Sequence, residues 1–356
     1  MLILGGILIL AVTAGAVLSK KVPVFAAYAL IPPFIALLFG AEPAQVVRSA
    51  AGGITPFLNT VCMILLSVCF FCGLAETGMF DRILSLLLRG RQLTPSKLLF
   101  LTISASALVM VSGSITTCYL VILPAFLPLY RSAGLDRRIL LTLVSAVTGT
   151  GLMLPWSSKV LLIAGITGLS PAGIWRAALP LQAAGLALCF CLGGYYILRL
   201  RGKMDLKRAL PPSALTFPER PYARPDRLAV NCLLFLACVV LMILKLPAIW
   251  VLVGMLALLM MINYPDLKTQ DAIIRRTGGS MFPLCIVILS VGIMLGVLDG
   301  SGMTDAMAYG LTSLIPGELL SYAPVLAMAL ATPLLILVHY HCFYALIPLL
   351  IALMPG

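Results

Sequence analysis

Long apolar runs, broken only by short polar stretches, recur along this chain and begin at Leu2–Leu18. About 20 helical residues cross a hydrocarbon core of about 30 Å, and several of these runs reach that length. Soluble domains carry roughly 25% charged residues. Here charged residues make up 10% and apolar residues 62% of 356, with a mean hydropathy of +1.12. The chain therefore reads as an all-α, polytopic integral membrane protein. Lys20 and Lys21 follow the first run, whereas a cleaved leader carries its charge ahead of the apolar stretch. The expectation is an uncleaved first span.

Spans are predicted at about 2–19, 22–40, 56–75, 139–167, 176–199, 228–244, 247–263 and 280–298. Two more segments, 97–130 and 323–353, are interrupted by Gly, Ser, Pro or His and read as re-entrant hairpins. Arg199–Arg227 is polar, basic and Pro-rich, and reads as a linker. The two halves repeat with a shift of 224 residues. Lys21 and Pro23 fall on Lys245 and Pro247, and Gly78, Met79 and Asp81 fall on Gly302, Met303 and Asp305. Cys118 and Pro124 fall on Cys342 and Pro348, while Ser67, Val68 and Gly73 match Ser290, Val291 and Gly296 with one residue less. The expected organisation is a first repeat over 1–200, with five spans, the hairpin 97–130 and the broken helix 139–167. A cytoplasmic linker follows over 201–227, then a second repeat over 228–356 with three spans and the hairpin 323–353.

The net charge of +12 would suit a nucleic-acid partner if it were clustered on one face, but the cations sit in short loops beside apolar runs. There they act as topology determinants. With the N-terminus outside and each hairpin returning to its own side, twenty cations lie in cytoplasmic loops. Three lie outside (Arg48, Arg176 and Lys245), and Lys159 falls within a span. A single span at 97–130 would move the basic linker outside, so the bias favours a hairpin. An odd number of crossings in repeat one inverts repeat two, the plan of many secondary transporters of bacterial inner membranes. The ten cysteines show no metal-ligand spacing with histidines, and Cys62, Cys69, Cys72, Cys189, Cys191 and Cys238 read as small buried hydrophobes.

Three interruptions should carry chemistry. The first hairpin holds Ser112, Gly113, Ser114, Ile115, Thr116 and Thr117 at its tip. Irregular backbone persists at membrane depth only where protein covers it or it lines a cavity. Freed amides favour an anion, and hydroxyls can hold a cation. The plainer reading is that Ser and Thr bond back to their own helix. The second interruption runs through Gly149, Thr150 and Gly151 to Pro155, Trp156, Ser157, Ser158 and Lys159. A lysine deep in a bilayer costs about 2.5–3.5 kcal/mol, which argues for a cavity or an anion beside it, with snorkelling as the alternative. The third is His339-Tyr340-His341 in the second hairpin, where the two histidines could relay protons or bind a metal. Glu76 and Asp299, at span ends, read as caps or water-facing acids.

These residues carry a family resemblance. The Thr-Thr-x-Tyr of the hairpin, Pro128-Leu129-Tyr130 and Leu154-Pro155-Trp156 resemble the citrate–metal–proton symporter family. So do Asn263-Tyr264-Pro265-Asp266-Leu267-Lys268 and Gly300-Ser301-Gly302-Met303-Thr304-Asp305-Ala306-Met307-Ala308, which are the most specific strings. The resemblance implies proton-driven uptake of citrate or a related organic anion, often complexed to a divalent metal. Metal would then enter only as part of the substrate, with no resident cofactor. The family's Asp-Gly-Asp-Gly ahead of Thr-Thr is here Ser112-Gly113-Ser114-Ile115, and its Gly-Gly-Pro-Thr after Pro-Trp is Ser157-Ser158-Lys159-Val160. Polar and acidic residues of its second tip are His339-Tyr340-His341. Loss of acids and gain of Lys159 would suit a bare anion.

By the repeat shift, counterparts of 133–200 lie beyond Gly356, so the second repeat is expected to be incomplete. Two readings follow: a homodimer or complementing chain fills the gap, or the chain is a non-transporting paralogue acting as a membrane interaction partner. A membrane enzyme fits least, because no acid–base or nucleophile–histidine pair shares a membrane depth.

Overall fold

The computed structural model describes residues 1–88, 93–113, 115–202, 205–206, 220–244, 246–279 and 281–314. Among them are fourteen α-helices and no β-strand. In order these are α1 (Leu2–Leu18), α2 (Val24–Leu38), α3 (Pro43–Glu76), α4 (Met79–Leu88), α5 (Pro95–Met110), α6 (Ile115–Ser132) and α7 (Arg137–Gly151). There follow α8 (Ser158–Thr167), α9 (Pro171–Leu200), α10 (Leu228–Ile243), α11 (Ala248–Asn263), α12 (Leu267–Gly279), α13 (Phe282–Gly300) and α14 (Met303–Leu314). Helices α3, α9 and α13, and Pro225–Met242 around α10, are long and apolar enough to cross a membrane; α1, α2, α5, α11 and Thr117–Ser132 are apolar but shorter. The hairpin 323–353, with His339 and His341, lies outside the described residues.

Local sequence explains where the helices start. Thr94, Asp136 and Ser170 each stand just before a helix and accept a hydrogen bond from an amide of its first turn. Each cap satisfies an otherwise orphaned donor, worth about 1 kcal/mol. Pro95 and Pro171 occupy first helical positions, where a missing amide hydrogen costs nothing. The cap at Ser170 moves the start of α9 to Pro171, so Arg176 lies inside the helix and not at the first residue of the span, as the predicted 176–199 has it. Likewise α3 reaches back to Pro43, well beyond the expected 56–75. The interruption in 139–167 is real but sits later than expected: α7 runs through Gly149 and Thr150 to Gly151, and the non-helical stretch is 152–157. Three amphipathic connectors, α4, α12 and α14, were not anticipated.

Helix boundaries recur at the 224-residue shift. Val24 and Met79 open α2 and α4, and Ala248 and Met303 open α11 and α14. Pro43 and Glu76 bound α3, and Leu267 and Gly300 bound α12 with α13, where the single helix is replaced by two. Gly78 and Gly302 both take a left-handed turn, φ 74° and 71°, ahead of an Asp in the next helix. A side chain there would be strained.

The chain forms two compact units that interleave its halves. The first comprises Met1–Cys62, Leu162–Gly168 and the described part of 282–356. In it α3 and α13 meet through backbone: a Cβ on Gly53 would come within 2.2 Å of the Gly292 carbonyl oxygen and 2.6 Å of Gly296 Cα. Ser49 packs against Gly296 and Gly300 in the same crossing. Small residues four apart let apolar helices approach closely where lipid offers no hydrophobic drive. Helix α1 packs on α14, with Gly5 and Gly6 against Met303 and Met307.

The second unit comprises Met63–Leu161 and Leu169–Met281. It holds a core of fully buried side chains including Phe70, Phe71, Phe126, Tyr130 and Tyr264. Buried Thr102 and Tyr130 share a hydrogen bond of 2.9 Å, which ties α5 to α6. Here α10 packs on α4 through Phe235 and Phe80. Thus each unit pairs the opening helix of one half with the amphipathic helix of the other.

The two family-like strings build joints. Asn263 donates to Asn231 at 2.8 Å, and the Tyr264 hydroxyl donates to the Tyr222 carbonyl at 2.7 Å. Arg224 lies over the Tyr264 ring and donates to the Asn263 carbonyl. The Asp266 carboxylate accepts from the Thr269 amide and hydroxyl, opening α12, and these bonds hold it below the usual carboxylate range. Asp299 accepts from Thr304 at 2.6 Å, which braces the Gly302 turn. Glu76, its counterpart, lies 3.6 Å from Arg276. Arg220, at the end of the linker, forms a nearly buried ion pair with Asp81.

Candidate functional site

The site grows from two breaks that the second unit brings together. Helix α5 ends at Met110, and the chain turns through Gly113, whose φ of 71° needs no Cβ. A Cβ on Gly113 would lie 3.1 Å from Trp156 and 3.4 Å from Ser157 Cα. The Trp156 indole N–H donates to the Val111 carbonyl at 2.8 Å. The hairpin tip and the 152–157 break therefore pack directly on each other.

Trp156 is itself fixed from behind, stacked on Phe71 with ring centroids 5.8 Å apart. Ser112 and Thr117 are buried at this junction, and Thr117 pairs with Cys72 at 3.2 Å. Ser157 is fully buried; its hydroxyl donates to the Leu152 carbonyl and accepts from the Val160 amide, capping α8. Pro155 is buried beside it. Lys159 follows at the start of α8, half-buried. Gly151 sits against Met110, so the end of α7 touches the end of α5. Thr150 bonds back to Val147 and takes up Gln182 on its carbonyl. Gly149 is exposed, with open space around it.

Of the expected residues, Ser112, Gly113, Thr117, Pro155 and Ser157 converge, and Lys159 borders them. The Ser157 hydroxyl is committed to nearby backbone, the Leu152 carbonyl and the Val160 amide. Ser114 lies outside the described residues, and the side chains of Thr116 and Ser158 are not described. Trp156 was legible in Pro-Trp but not as the contact between the breaks; Phe71 and Cys72 carry no sequence signal. Among the described residues no cluster of three or more His, Cys, Asp or Glu could hold a metal. Cys62 and Cys191 are exposed and Cys72 and Cys232 half-buried, contrary to the buried role expected for the first three. Cys62 and Cys191 lie on exposed helix faces, whereas Cys72 and Cys232 are partly covered by neighbouring helices.

A family model described as citrate transporter matches residues 7–356. The chain belongs to the citrate transporter family. It is accordingly a multi-pass membrane transport protein and not an enzyme. A citrate transporter of Bacillus subtilis (strain 168) is 26% identical over 97% of this chain and 81% of its own length. A Mg(2+)/citrate complex secondary transporter of the same organism is 29% identical over 98% of this chain and 82% of its own. An uncharacterized transporter there, YraO, is 25% identical over 92% and 77% respectively.

Proposed function

We propose that this protein carries citrate or a related organic anion across the bacterial cytoplasmic membrane, coupled to protons. The observation that carries the reading is the contact of the Ser112–Gly113 turn with Trp156–Ser157, which sets two interrupted helices, and beside them Lys159, around one point. Interrupted helices of this kind present backbone dipoles to substrates in secondary transporters. Family membership and relatives named for citrate and for Mg(2+)/citrate supply the substrate class. With no acid among the described residues of the two breaks, and Lys159 beside them, the bare anion is favoured over a metal complex. Lys159 supplies the balancing charge, and Ser112 and Thr117 supply hydroxyls.

The test is uptake of radiolabelled citrate into proteoliposomes holding the full chain, with and without an imposed proton gradient and Mg2+. Gradient-driven uptake that a protonophore abolishes and Mg2+ does not enhance is expected. Lys159→Gln should raise KM about tenfold, the worth of a lost charge-assisted bond, and Lys159→Arg should recover part of it. Uptake that ignores the gradient, or equal KM for wild type and Lys159→Gln, would overturn the reading.

A further inference from the structure

The second unit contains a cavity of about 490 Å3 that borders the junction of the two breaks, with Pro155 and Trp156 in its wall. That volume is within the roughly 300–1,000 Å3 of small-molecule sites. Its lining includes Trp156, Trp175 and Arg176, with Met63, Met242 and Leu246 forming apolar wall. No carboxylate lines it, so Arg176 gives the cavity its only formal charge among the described residues.

Two hydrogen-bonded connections link this cavity to the breaks. Trp156 lines it while its indole N–H holds Val111 at the hairpin tip. Trp175 lines it too, and donates to the Gln182 side-chain oxygen at 3.0 Å; Gln182 in turn donates to the Thr150 carbonyl at 3.3 Å. A guanidinium offers carboxylates a planar, two-donor fork, which makes an Arg-lined apolar cavity selective for small carboxylates over inorganic cations or neutral solutes.

We infer that this cavity is a carboxylate-binding antechamber, in which Arg176 receives a di- or tricarboxylate before it passes Trp156 to the junction. The inference deepens the proposed transport function and rests on it for the identity of the anion. Arg176 here is a capture and specificity residue, distinct from Lys159.

The sequence contains three tryptophans, and the third, Trp250, is 77% exposed. A Trp250→Phe background therefore leaves only the two cavity indoles as fluorescent reporters. Full-length protein of this background in phosphatidylcholine nanodiscs is titrated with citrate while tryptophan emission is followed. A saturable change is expected, with apparent affinity about tenfold weaker in Arg176→Gln and partly restored in Arg176→Lys. Thermal melting of each variant in the same discs controls for folding. A response that survives Arg176→Gln unchanged overturns the antechamber. Emission moved by adding phosphatidylglycerol to the discs but not by citrate also overturns it, in favour of a lipid headgroup. Parallel uptake assays separate the two readings: citrate uptake without a fluorescence response rejects the antechamber alone, and absence of both rejects the transport function as well.

Discussion

At the scale of residues, Gly113 is the most constrained position of the candidate site. Its φ of 71° is left-handed, and a Cβ would meet Trp156 at 3.1 Å. Left-handed backbone costs an L-residue about 1–2 kcal/mol, and the tight contact adds to that. Gly113→Ala should lower the thermal midpoint of the purified protein by several degrees and reduce uptake, since it pushes Trp156 off Val111. Gly149→Ala, one break away and in open space, is the matched control and should leave both unchanged. A second residue-scale contrast comes from the repeat. Asp81 is nearly buried with Arg220, while its counterpart Asp305 is exposed. Removing one partner of a buried pair costs about 3–5 kcal/mol because the other charge is stranded. Asp81→Asn and Arg220→Gln should each destabilise strongly, and the double variant should lose much less than the sum. Asp305→Asn should stay within about 0.5 kcal/mol of wild type. Denaturant or thermal unfolding of the five proteins checks the set.

At the scale of elements, small residues decide which helices cross closely. Gly52 and Gly53 are neighbours on α3, yet only Gly53 faces α13, and Gly52 has nothing within 4 Å. Gly53→Ala should force α3 and α13 apart and cut the yield of folded protein, read as the monodisperse fraction on size exclusion. Gly52→Ala should be silent, or slightly stabilising, as Ala favours helix by about 1 kcal/mol over Gly. The sequence pattern alone marks two adjacent glycines and does not tell them apart. The same scale explains the family-like strings. Asn263–Lys268 and Gly300–Ala308 look functional by their specificity, but the structure gives them caps, turns and braces between helices. Their side chains hold α10, α11 and the linker end together, or steady the Gly302 turn.

At the scale of the whole molecule, the cation distribution sets the expected topology. With twenty cations on one side and three on the other, the positive-inside rule predicts a cytoplasmic linker and an outside N-terminus. A single cysteine at position 213, in a background lacking the other ten, should resist a membrane-impermeant maleimide in intact cells and react after permeabilisation. Labelling from outside would reverse the assignment. This prediction is independent of the site, because loop charge and not helix packing orients the chain during insertion.

What the sequence by itself determined is what short-range chemistry controls. Apolar length made the chain a helical membrane protein, and Gly and Pro marked the breaks. Several helix boundaries recur at the 224-residue shift, as similar local sequence favours similar local structure. Family-like strings and a full-length family match supplied the transport class. Only the tertiary structure decided which breaks meet. In a chain that is 62% apolar, every helix face resembles every other, so composition carries no record of which pairs touch. The contact of Trp156 with Val111 and Gly113, the choice of Gly53 over Gly52, and the burial of Asp81 but not Asp305 arise from close packing between distant segments. Such packing depends on complementary shape at atomic range, which a linear pattern of apolar and polar residues does not encode.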